Sequence, residues 1–298
     1  MRIFVTGATG FIGSAIVQEL IGAGYQVVGL TRSDAGAESL MAAGAEVHRG
    51  DLADLESLRK GAAMSDGVIH TAFNHDFSKY VANCEDDRRI IEALGSALAG
   101  SDRPFLITSG TGMANGAPGQ LATEEDAAAS SAAVPRAASE EAAASVAAKG
   151  VRVSVVRLAQ VHNTVKQGLI TYAIAVARQK RVSAYVRDGL NRWPAVHVLD
   201  TARLYRLVLE KREAGAKYHA VAEEGVRLRD IADVIGRGLK VPVTSVSQEE
   251  AAAHFGWLGA FASRDVPASS AQTQERLGWR PTGPSLIADL DRARYSEI

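Results

Sequence analysis

Thr6-Gly7-Ala8-Thr9-Gly10-Phe11-Ile12-Gly13 follows the apolar run Ile3-Phe4-Val5 at the start of this 298-residue chain. A strand that ends at glycines and turns directly into a helix points backbone N–H groups and the positive helix end at one place, where a pyrophosphate binds. Gly7 suits the tight turn, Gly10 lets the backbone approach the phosphates, and Gly13 allows the helix to lie close to the strand. The stretch therefore predicts a dinucleotide site.

The residues after this stretch strengthen that prediction. Apolar side chains recur at helical spacing at Ile12, Ile16, Val17, Leu20 and Ile21. A glycine trio alone is weak, because a glycine-rich turn can lack a ligand, but a trio between a buried-type strand and an amphipathic helix favours NAD or NADP. The residues expected to contact the cofactor here are Gly7, Thr9, Gly10, Phe11, Ile12 and Gly13.

Composition argues against several classes of partner. The chain has 33 basic and 34 acidic residues and a formal net charge of -1, so it lacks the field that attracts nucleic acid or an anionic membrane. Its single cysteine, Cys84, excludes an intrachain disulfide and a cysteine-rich metal site, and no metal is expected. No apolar run approaches the ~20 residues that span a bilayer. We expect a protein of the reducing cytoplasm.

Short β-branched runs alternate with helical patterns through the first half of the sequence. This alternation predicts an α/β fold with a doubly wound, mostly parallel sheet, whose ligand lies beyond the carboxyl ends of the strands. The predicted strands are Ile3–Thr6, Gln26–Leu30, Glu46–His48, Gly67–Thr71, Pro104–Thr108 and Val151–Arg157.

The pattern weakens after Arg157. We expect helices at Leu169–Gln179 and Asp200–Glu213, strands at Trp193–Val198 and Lys217–Val221, and a tail of short helices. Residues 1–163 and 193–225 are assigned to the nucleotide-binding domain, and residues 164–192 and 226–298 to a small, interleaved substrate lobe. The Gly-, Ala- and Ser-rich segment from Ser109 to Pro135 predicts either a flexible flap beside the cleft or a surface insertion without function.

Motifs along nearly the whole chain resemble one family, the extended and atypical short-chain dehydrogenase/reductases, also called the NAD-dependent epimerase/dehydratase family. This resemblance implies a Rossmann fold with a small C-terminal substrate lobe. Many members form dimers, so it also allows a homodimer. The matching motifs are Thr6 to Gly13, Gly50-Asp51-Leu52, Ile69-His70-Thr71-Ala72, Thr108-Ser109-Gly110, Arg157 to His162 with His162 in the place of a tyrosine, Trp193 to Asp200, and Leu277-Gly278-Trp279-Arg280-Pro281.

The resemblance fails at the catalytic pair. Active members carry a Tyr-x-x-x-Lys pair on the helix after the long loop, whereas here Arg136 takes the tyrosine's place and Glu140 the lysine's. The chain resembles an atypical subgroup without the pair. Arginine stays protonated and cannot be the acid or base, although it can bind an anion or an oxyanion. The plainer expectation is an i,i+4 ion pair between Arg136 and Glu140.

Other side chains remain as catalytic candidates. Ser109, in the place of the family's active-site serine, can hydrogen-bond a substrate oxygen, with Thr111 close behind; alternatively, Ser109 is a loop serine that caps the flap. His75 is the favoured replacement proton donor, but a histidine beside Asp76 at a helix start is more often a cap. Further possible donors are Tyr80, Tyr172, Tyr185 and His197, the last of which fits a core position better.

The end of the second predicted strand bears on the choice of cofactor. NAD-specific relatives place an acid there, whereas this chain has Thr31 and Arg32. A guanidinium pairs with a 2′-phosphate, so NADP is favoured, with NAD as the alternative and a solvated Arg32 as the plainer interpretation. The resemblance adds further cofactor contacts at Asp51, Leu52, Thr71, Ala72, Phe73 and Ser109.

Three functions stay open from sequence. Loss of the Tyr/Lys pair harms alcohol oxidation most, so the first is NADP(H)-dependent reduction of a small-molecule ketone, imine or activated double bond. The second is a non-enzymatic NADP-binding redox sensor that reports through a partner. The third is a sugar-nucleotide epimerase or dehydratase, which requires another base and a second phosphate site, for which Arg178, Arg181, Arg187 and Arg192 are candidates.

Overall fold

The central sheet of the computed structural model, which describes residues 1–114, 116–117 and 119–295, has seven parallel strands in the order β10-β6-β5-β4-β1-β2-β3. Strand order reverses between β1 and β4, so the crevice at the carboxyl ends of these two strands is the expected ligand position. The seven strands are β1 (Arg2–Thr6), β2 (Gln26–Thr31), β3 (Glu46–Arg49), β4 (Gly67–His70), β5 (Pro104–Gly110), β6 (Arg152–Leu158) and β10 (Lys217–Ala220). The predicted α/β class with a doubly wound sheet is confirmed.

Helices cover both faces of this sheet. Side chains of β1 alternate between the faces, so Ile3 and Val5 pack in the core on one face, and Phe4 packs in the core on the opposite face. Burial on both faces explains why the strands are continuously apolar. The helices are α1 (Phe11–Gly22), α2 (Asp34–Ala42), α3 (Leu55–Ala63), α4 (Tyr80–Leu98), α5 (Ala138–Ala147), α6 (Ile170–Lys180), α7 (Val198–Lys211), α8 (Leu228–Leu239), α9 (Ala251–Phe255), α10 (Gly259–Ala262), α11 (Ala271–Leu277) and α12 (Leu286–Asp291).

A third apolar core lies around α6, α8 and the short helices near the C-terminus, and we call these elements the small lobe. Strand β8 (Ser183–Val186) pairs there with β12 (Val243–Val246). Strand β9 (Arg192–His197) lies between β7 (Gln160–His162) and β11 (Glu223–Arg227) in a separate three-stranded sheet. Of the two strands predicted after residue 157, only β10 therefore completes the central sheet.

Residues of the segment predicted as either a flexible flap or a surface insertion contact the C-terminal part of the chain. The backbone of Ala122 exchanges hydrogen bonds with Pro267 and Ser269. The buried carboxylate of Glu124 accepts hydrogen bonds from the backbone and hydroxyl of Thr273 at 2.8 and 2.5 Å. These contacts hold Ala122 and Glu124 against the C-terminal part of the chain. Within the part of the chain that the structure describes, no helix is long and apolar enough to cross a bilayer.

Candidate cofactor and substrate cleft

The glycine-rich loop is built for close backbone approach. Gly7 has a φ of +70°, and the Gly10 N–H donates to the Gly7 carbonyl at 2.9 Å. A Cβ on Gly13 would lie 2.0 Å from the Gly7 carbonyl oxygen, and a Cβ on Gly7 would lie 2.8 Å from the Ala72 nitrogen. Gly10 is the N-cap of α1 and offers no side chain to the first-turn N–H groups. These donors can therefore serve an anion, as a dinucleotide pyrophosphate requires.

An open cleft of about 860 Å³ begins at this loop. It brings together nine of the predicted residues: Gly7, Thr9, Thr31, Arg32, Asp51, Leu52, Ala72, Phe73 and His75. Phe11 and Ile12 instead pack against the core beside α1, and the Thr71 hydroxyl donates to the Thr6 carbonyl at 2.8 Å. The cleft follows the carboxyl ends of β1, β2 and β4, where the sheet topology places the ligand.

Directly after β2, at the edge of this cleft, the chain has an arginine and no acid. Arg32 is 82% exposed and lies 3.4 Å from Asp51. The pKa of Asp51 is lowered, chiefly by the backbone N–H of Ala53 and further by Arg32. Arg49, which ends β3, forms an ion pair with Asp34 and does not line the cleft. The exposed Arg32 can pivot toward a phosphate, since its contact with Asp51 is long and solvated.

At the catalytic end, Glu140 does not pair with Arg136, so the expected i,i+4 ion pair is wrong. Arg136 lies in the 3-10 turn Pro135–Ala137, before α5 begins, so the two residues are not one α-helical turn apart. Arg157 instead donates from Nε and Nη2 to the two carboxylate oxygens of Glu140, at 2.9 and 2.8 Å. Ser109 Oγ donates to the same carboxylate at 2.8 Å. Both oxygens of Glu140 are therefore already hydrogen-bonded.

Arg136 is held by a different buried acid. Its Nη1 donates to Asp87 at 2.8 Å and its Nη2 to the Thr108 carbonyl at 3.0 Å. The other oxygen of Asp87 lies 2.9 Å from His70 Nε2. Burial raises the pKa of Asp87, but Arg136, His70 and Ser139 outweigh this effect and lower it. The guanidinium also lies 4.3 Å above the centre of the Phe73 ring, a cation–π contact.

The two predicted hydroxyls have their protons directed into the protein. Ser109 donates to Glu140, and the buried Thr111 donates to the Leu158 carbonyl at 3.4 Å. A hydroxyl whose proton is engaged can still accept a hydrogen bond from a substrate. Neither side chain is therefore arranged to donate to a substrate carbonyl.

His75 lies between Phe73 and Phe77, with ring centres 5.3 and 6.1 Å away. Burial lowers the pKa of His75, and the charges of Arg136 and Lys166 lower it further, so the ring is mostly neutral at pH 7. The cap of the 3-10 turn Phe77–Lys79 is Asp76, which accepts from the Ser78 N–H. His75 therefore lines the cleft, and its mostly neutral ring is poorly suited to act as the proton donor.

The remaining proton-donor candidates lie in different places. Tyr80 and Tyr172 belong to a group of aromatic rings beside the cleft, Tyr185 is on β8, and His197 caps α7.

The arginines proposed for a second phosphate site either bind local partners or lie at the ends of helices and strands. Arg178 donates to the Tyr295 carbonyl, Arg192 pairs with Asp265, and Arg181 and Arg187 adopt left-handed conformations after α6 and β8.

Sequence reasoning missed Asp87 and the role of Arg157. Asp87 occupies the apolar face of α4, at helical spacing with Cys84, Ile91 and Leu94, all of which are buried. An acid on a buried helix face must have a partner, and this was the available signal. Arg157 lies within an otherwise apolar strand, where a buried cation likewise requires a carboxylate.

Comparison with known proteins agrees with this geometry. The NAD dependent epimerase/dehydratase family matches residues 3–222. Uncharacterized protein C2A9.02 of Schizosaccharomyces pombe is 50% identical over 99% of this chain and 100% of its own length. Uncharacterized protein YLL056C of Saccharomyces cerevisiae is 46% identical over 99% of each chain.

Among solved structures, the dTDP-glucose 4,6-dehydratase DesIV of Streptomyces venezuelae, a double mutant with NAD and DAU bound, has a TM-score of 0.79. The two sequences are 21% identical, and the match covers 99% of this chain and 96% of that one. At this identity the likeness shows the fold. The family match, the glycine-rich cradle and the topological switch point together assign the chain: it belongs to the NAD-dependent epimerase/dehydratase family.

Proposed function

We propose that the protein is an NADP(H)-dependent reductase of a small-molecule ketone, imine or activated double bond. The observation that carries this proposal is the arrangement of Arg136, which stands in the tyrosine's place and is fixed by Asp87 and the Thr108 carbonyl. A guanidinium stabilises negative charge on oxygen but cannot remove a hydroxyl proton at working pH. Reduction, which builds negative charge on the substrate oxygen, suits this group better than alcohol oxidation.

The surroundings of Ser109 support the same direction. Alcohol oxidation needs a base, and the nearest carboxylate, that of Glu140, already accepts hydrogen bonds from Arg157 and Ser109. Sugar epimerisation begins with such an oxidation and is disfavoured for this reason. When bound, the reduced nicotinamide would supply the hydride, with Gly7, Gly10 and the α1 N-terminus holding its pyrophosphate.

The choice of NADP rests on Arg32. This exposed guanidinium follows β2 at the edge of the cleft, and Thr31 replaces the acid that would repel a 2′-phosphate. Replacing Arg32 with alanine should weaken NADPH binding about tenfold and leave NADH binding unchanged. Isothermal titration of both cofactors into both proteins measures this, and equal NADPH affinity in the two proteins removes the argument.

The reductase proposal is tested by NADPH oxidation at 340 nm with a panel of ketones, cyclic imines and enones. We expect turnover with at least one class. Arg136→Lys, which keeps the charge but loses the planar fork, should lower kcat more than it raises KM, because the guanidinium acts on developing charge. Cofactor binding without turnover of any compound would overturn the proposal in favour of the redox sensor.

A further inference from the structure

Aromatic side chains join the two lobes next to His75, beyond the residues that line the cleft. Phe77 stacks on Trp257 of the small lobe with ring centres 4.0 Å apart and planes 9° apart. Tyr172 and Phe261, also from the small lobe, approach Phe77 edge-on at 5.8 and 6.2 Å. Tyr80 completes this group, 5.7 Å from Phe77. We call these five residues the aromatic cluster.

The aromatic cluster is continuous with the catalytic end of the cleft. His75 lies 6.1 Å from Phe77 and 5.3 Å from Phe73, measured between ring centres. Arg136 lies over the opposite end of this path, 4.3 Å from the centre of Phe73. Rings therefore run without interruption from the proposed oxyanion-binding guanidinium to the outer edge of the small lobe.

Trp257 differs from the other two tryptophans of the chain. Trp193 and Trp279 are almost fully buried, whereas Trp257 is 39% exposed. Tyr172 is exposed to a similar degree, at 37%. Large rings that remain open to solvent beside a cleft are typical of a surface that stacks on a ligand.

The charges around the aromatic cluster favour an anion. Lys166 lies close enough to His75 to lower its pKa, and Arg264 acts in the same direction on the pKa of Tyr80. Arg264 also donates to the Gly112 carbonyl at 3.4 Å, so it bridges the small lobe and the loop that follows Ser109. Lys166 and Arg264 are both exposed. Lys166 and Arg264 therefore add positive charge near the rings, whereas the charge of Arg136 is compensated by Asp87.

We propose that the aromatic cluster and Arg136 bind a planar, conjugated carbonyl compound, an aryl enone or a quinone, whose reduction leaves negative charge on the oxygen beside Arg136. This inference rests on the proposed reductase activity and narrows its substrate class. A flat ring can replace the contacts that the aromatic rings now make with one another, so little apolar contact is lost when the substrate enters.

The chemistry of such a substrate matches the groups in the cleft. For an enone, a reduced nicotinamide bound in the cleft would supply a hydride to the β-carbon, and the π electrons would move to the carbonyl oxygen, where the Arg136 guanidinium would offset the negative charge. Water then protonates the α-carbon, so the substrate gains one hydride and one proton. An isolated ketone would instead give a far more basic alkoxide, which needs the acid that this site has lost.

Binding is tested with the full chain and a stable planar anion, 2-naphthoate, followed by calorimetry and by quenching of Trp257 fluorescence. We expect 2-naphthoate to bind about tenfold more tightly than cyclohexanecarboxylate or 2-naphthylmethylammonium, because only 2-naphthoate has both the ring and the negative charge. Trp257→Leu should weaken binding about tenfold and Arg264→Gln about threefold. Lys149→Gln, an exposed cation after α5, is the matched control and should bind as the unmodified protein does.

Turnover is tested with a matched pair, trans-4-phenyl-3-buten-2-one and its saturated analogue 4-phenyl-2-butanone, with 2-methyl-1,4-naphthoquinone as the quinone arm. We expect kcat/KM for the enone or the quinone to exceed that for the saturated ketone by about 100-fold. Binding of 2-naphthoate that ignores Trp257, or equal turnover of the matched pair, overturns this inference and leaves the reductase intact. Trp257-dependent binding without oxidation of NADPH by any compound supports the binding site and overturns the reductase.

Discussion

The two ends of the cleft bind their groups by different means. At the phosphate end, the loop from Gly7 to Gly13 offers backbone N–H groups, and no side chain caps the helix that follows. At the catalytic end, Ser109 and Arg136 already donate to buried partners, Glu140 and Asp87. The first region offers backbone donors that no side chain occupies, whereas the second is a network of paired charges in which Arg136, held by Asp87, also faces the Phe73 ring.

This difference determines how each region responds to amino-acid substitution. Backbone donors are independent of most side-chain substitutions, so an anion site built from them tolerates substitutions elsewhere in the cleft. A buried charge, in contrast, must be replaced together with its partner, because an uncompensated ion in the interior is costly. Glu140 with Arg157, and Arg136 with Asp87, are two such matched pairs.

The largest expected effect is in the catalytic network. Arg157 is fully buried and Glu140 is 95% buried, as judged by their side chains, so Arg157→Met leaves a buried carboxylate without its cation. We expect the free energy of unfolding to fall by about 3–5 kcal/mol. The double variant Arg157→Met/Glu140→Met should recover most of this loss, since neither charge remains. Urea denaturation of the single and double variants measures the coupling.

An exposed ion pair serves as the control for this cycle. Arg237 and Asp291 lie 3.0 Å apart with side chains 63% and 51% exposed. Arg237→Met should lower stability by about 0–1 kcal/mol. If the two losses from Arg157→Met and Glu140→Met simply add in the double variant, the pair does not act as a unit and the proposed contrast between the regions fails.

The sequence predicted those features that depend on local signals and missed those that depend on contacts between distant residues. The strands of the central sheet were placed within about two residues, because their apolar runs and glycine boundaries are local signals. The glycine-rich turn between β1 and α1 was predicted for the same reason. Strand β9 was also placed within one residue, but its membership of a separate sheet could not be predicted, since this depends on pairing with β7 and β11.

The catalytic network could not be assembled from local pattern. Glu140 was assigned to Arg136 by i,i+4 spacing, but its partner Arg157 is 17 residues away on another element. Asp87 and Arg136 are 49 residues apart. Only the topology, which brings α4, α5 and β6 together around the end of β5, decides these pairs.

A smaller effect is expected from the phosphate end. In Gly13→Ala the new Cβ would lie 2.0 Å from the Gly7 carbonyl oxygen, so the loop must move. We expect a loss of about 1–3 kcal/mol of stability, with NADPH binding reduced below detection because the donors no longer converge. Thermal unfolding and calorimetric titration measure the two effects.

Gly22, at the other end of the same helix, is the matched control. A Cβ there meets no atom within 4 Å, so Gly22→Ala should raise stability by about 0.5–1 kcal/mol and leave cofactor binding unchanged. Equal loss of binding in both variants would mean that α1 responds as a whole, and the argument for a specific cradle would not hold.

The smallest effect concerns Glu141, the neighbour of Glu140 on α5. The backbone N–H of Ser131 and the side chain of Arg88 lower the pKa of Glu141 from 4.5 to about 2. Because the folded pKa lies below the unfolded one, the stabilisation is complete above pH 4.5 and disappears as the pH falls toward 2. The side chain is 37% exposed, so solvent screening limits the contribution to about 1 kcal/mol. Glu141→Gln should flatten the stability profile in this window, as measured by urea denaturation at several pH values, and an unchanged slope would show that the contact with Ser131 does not persist in solution.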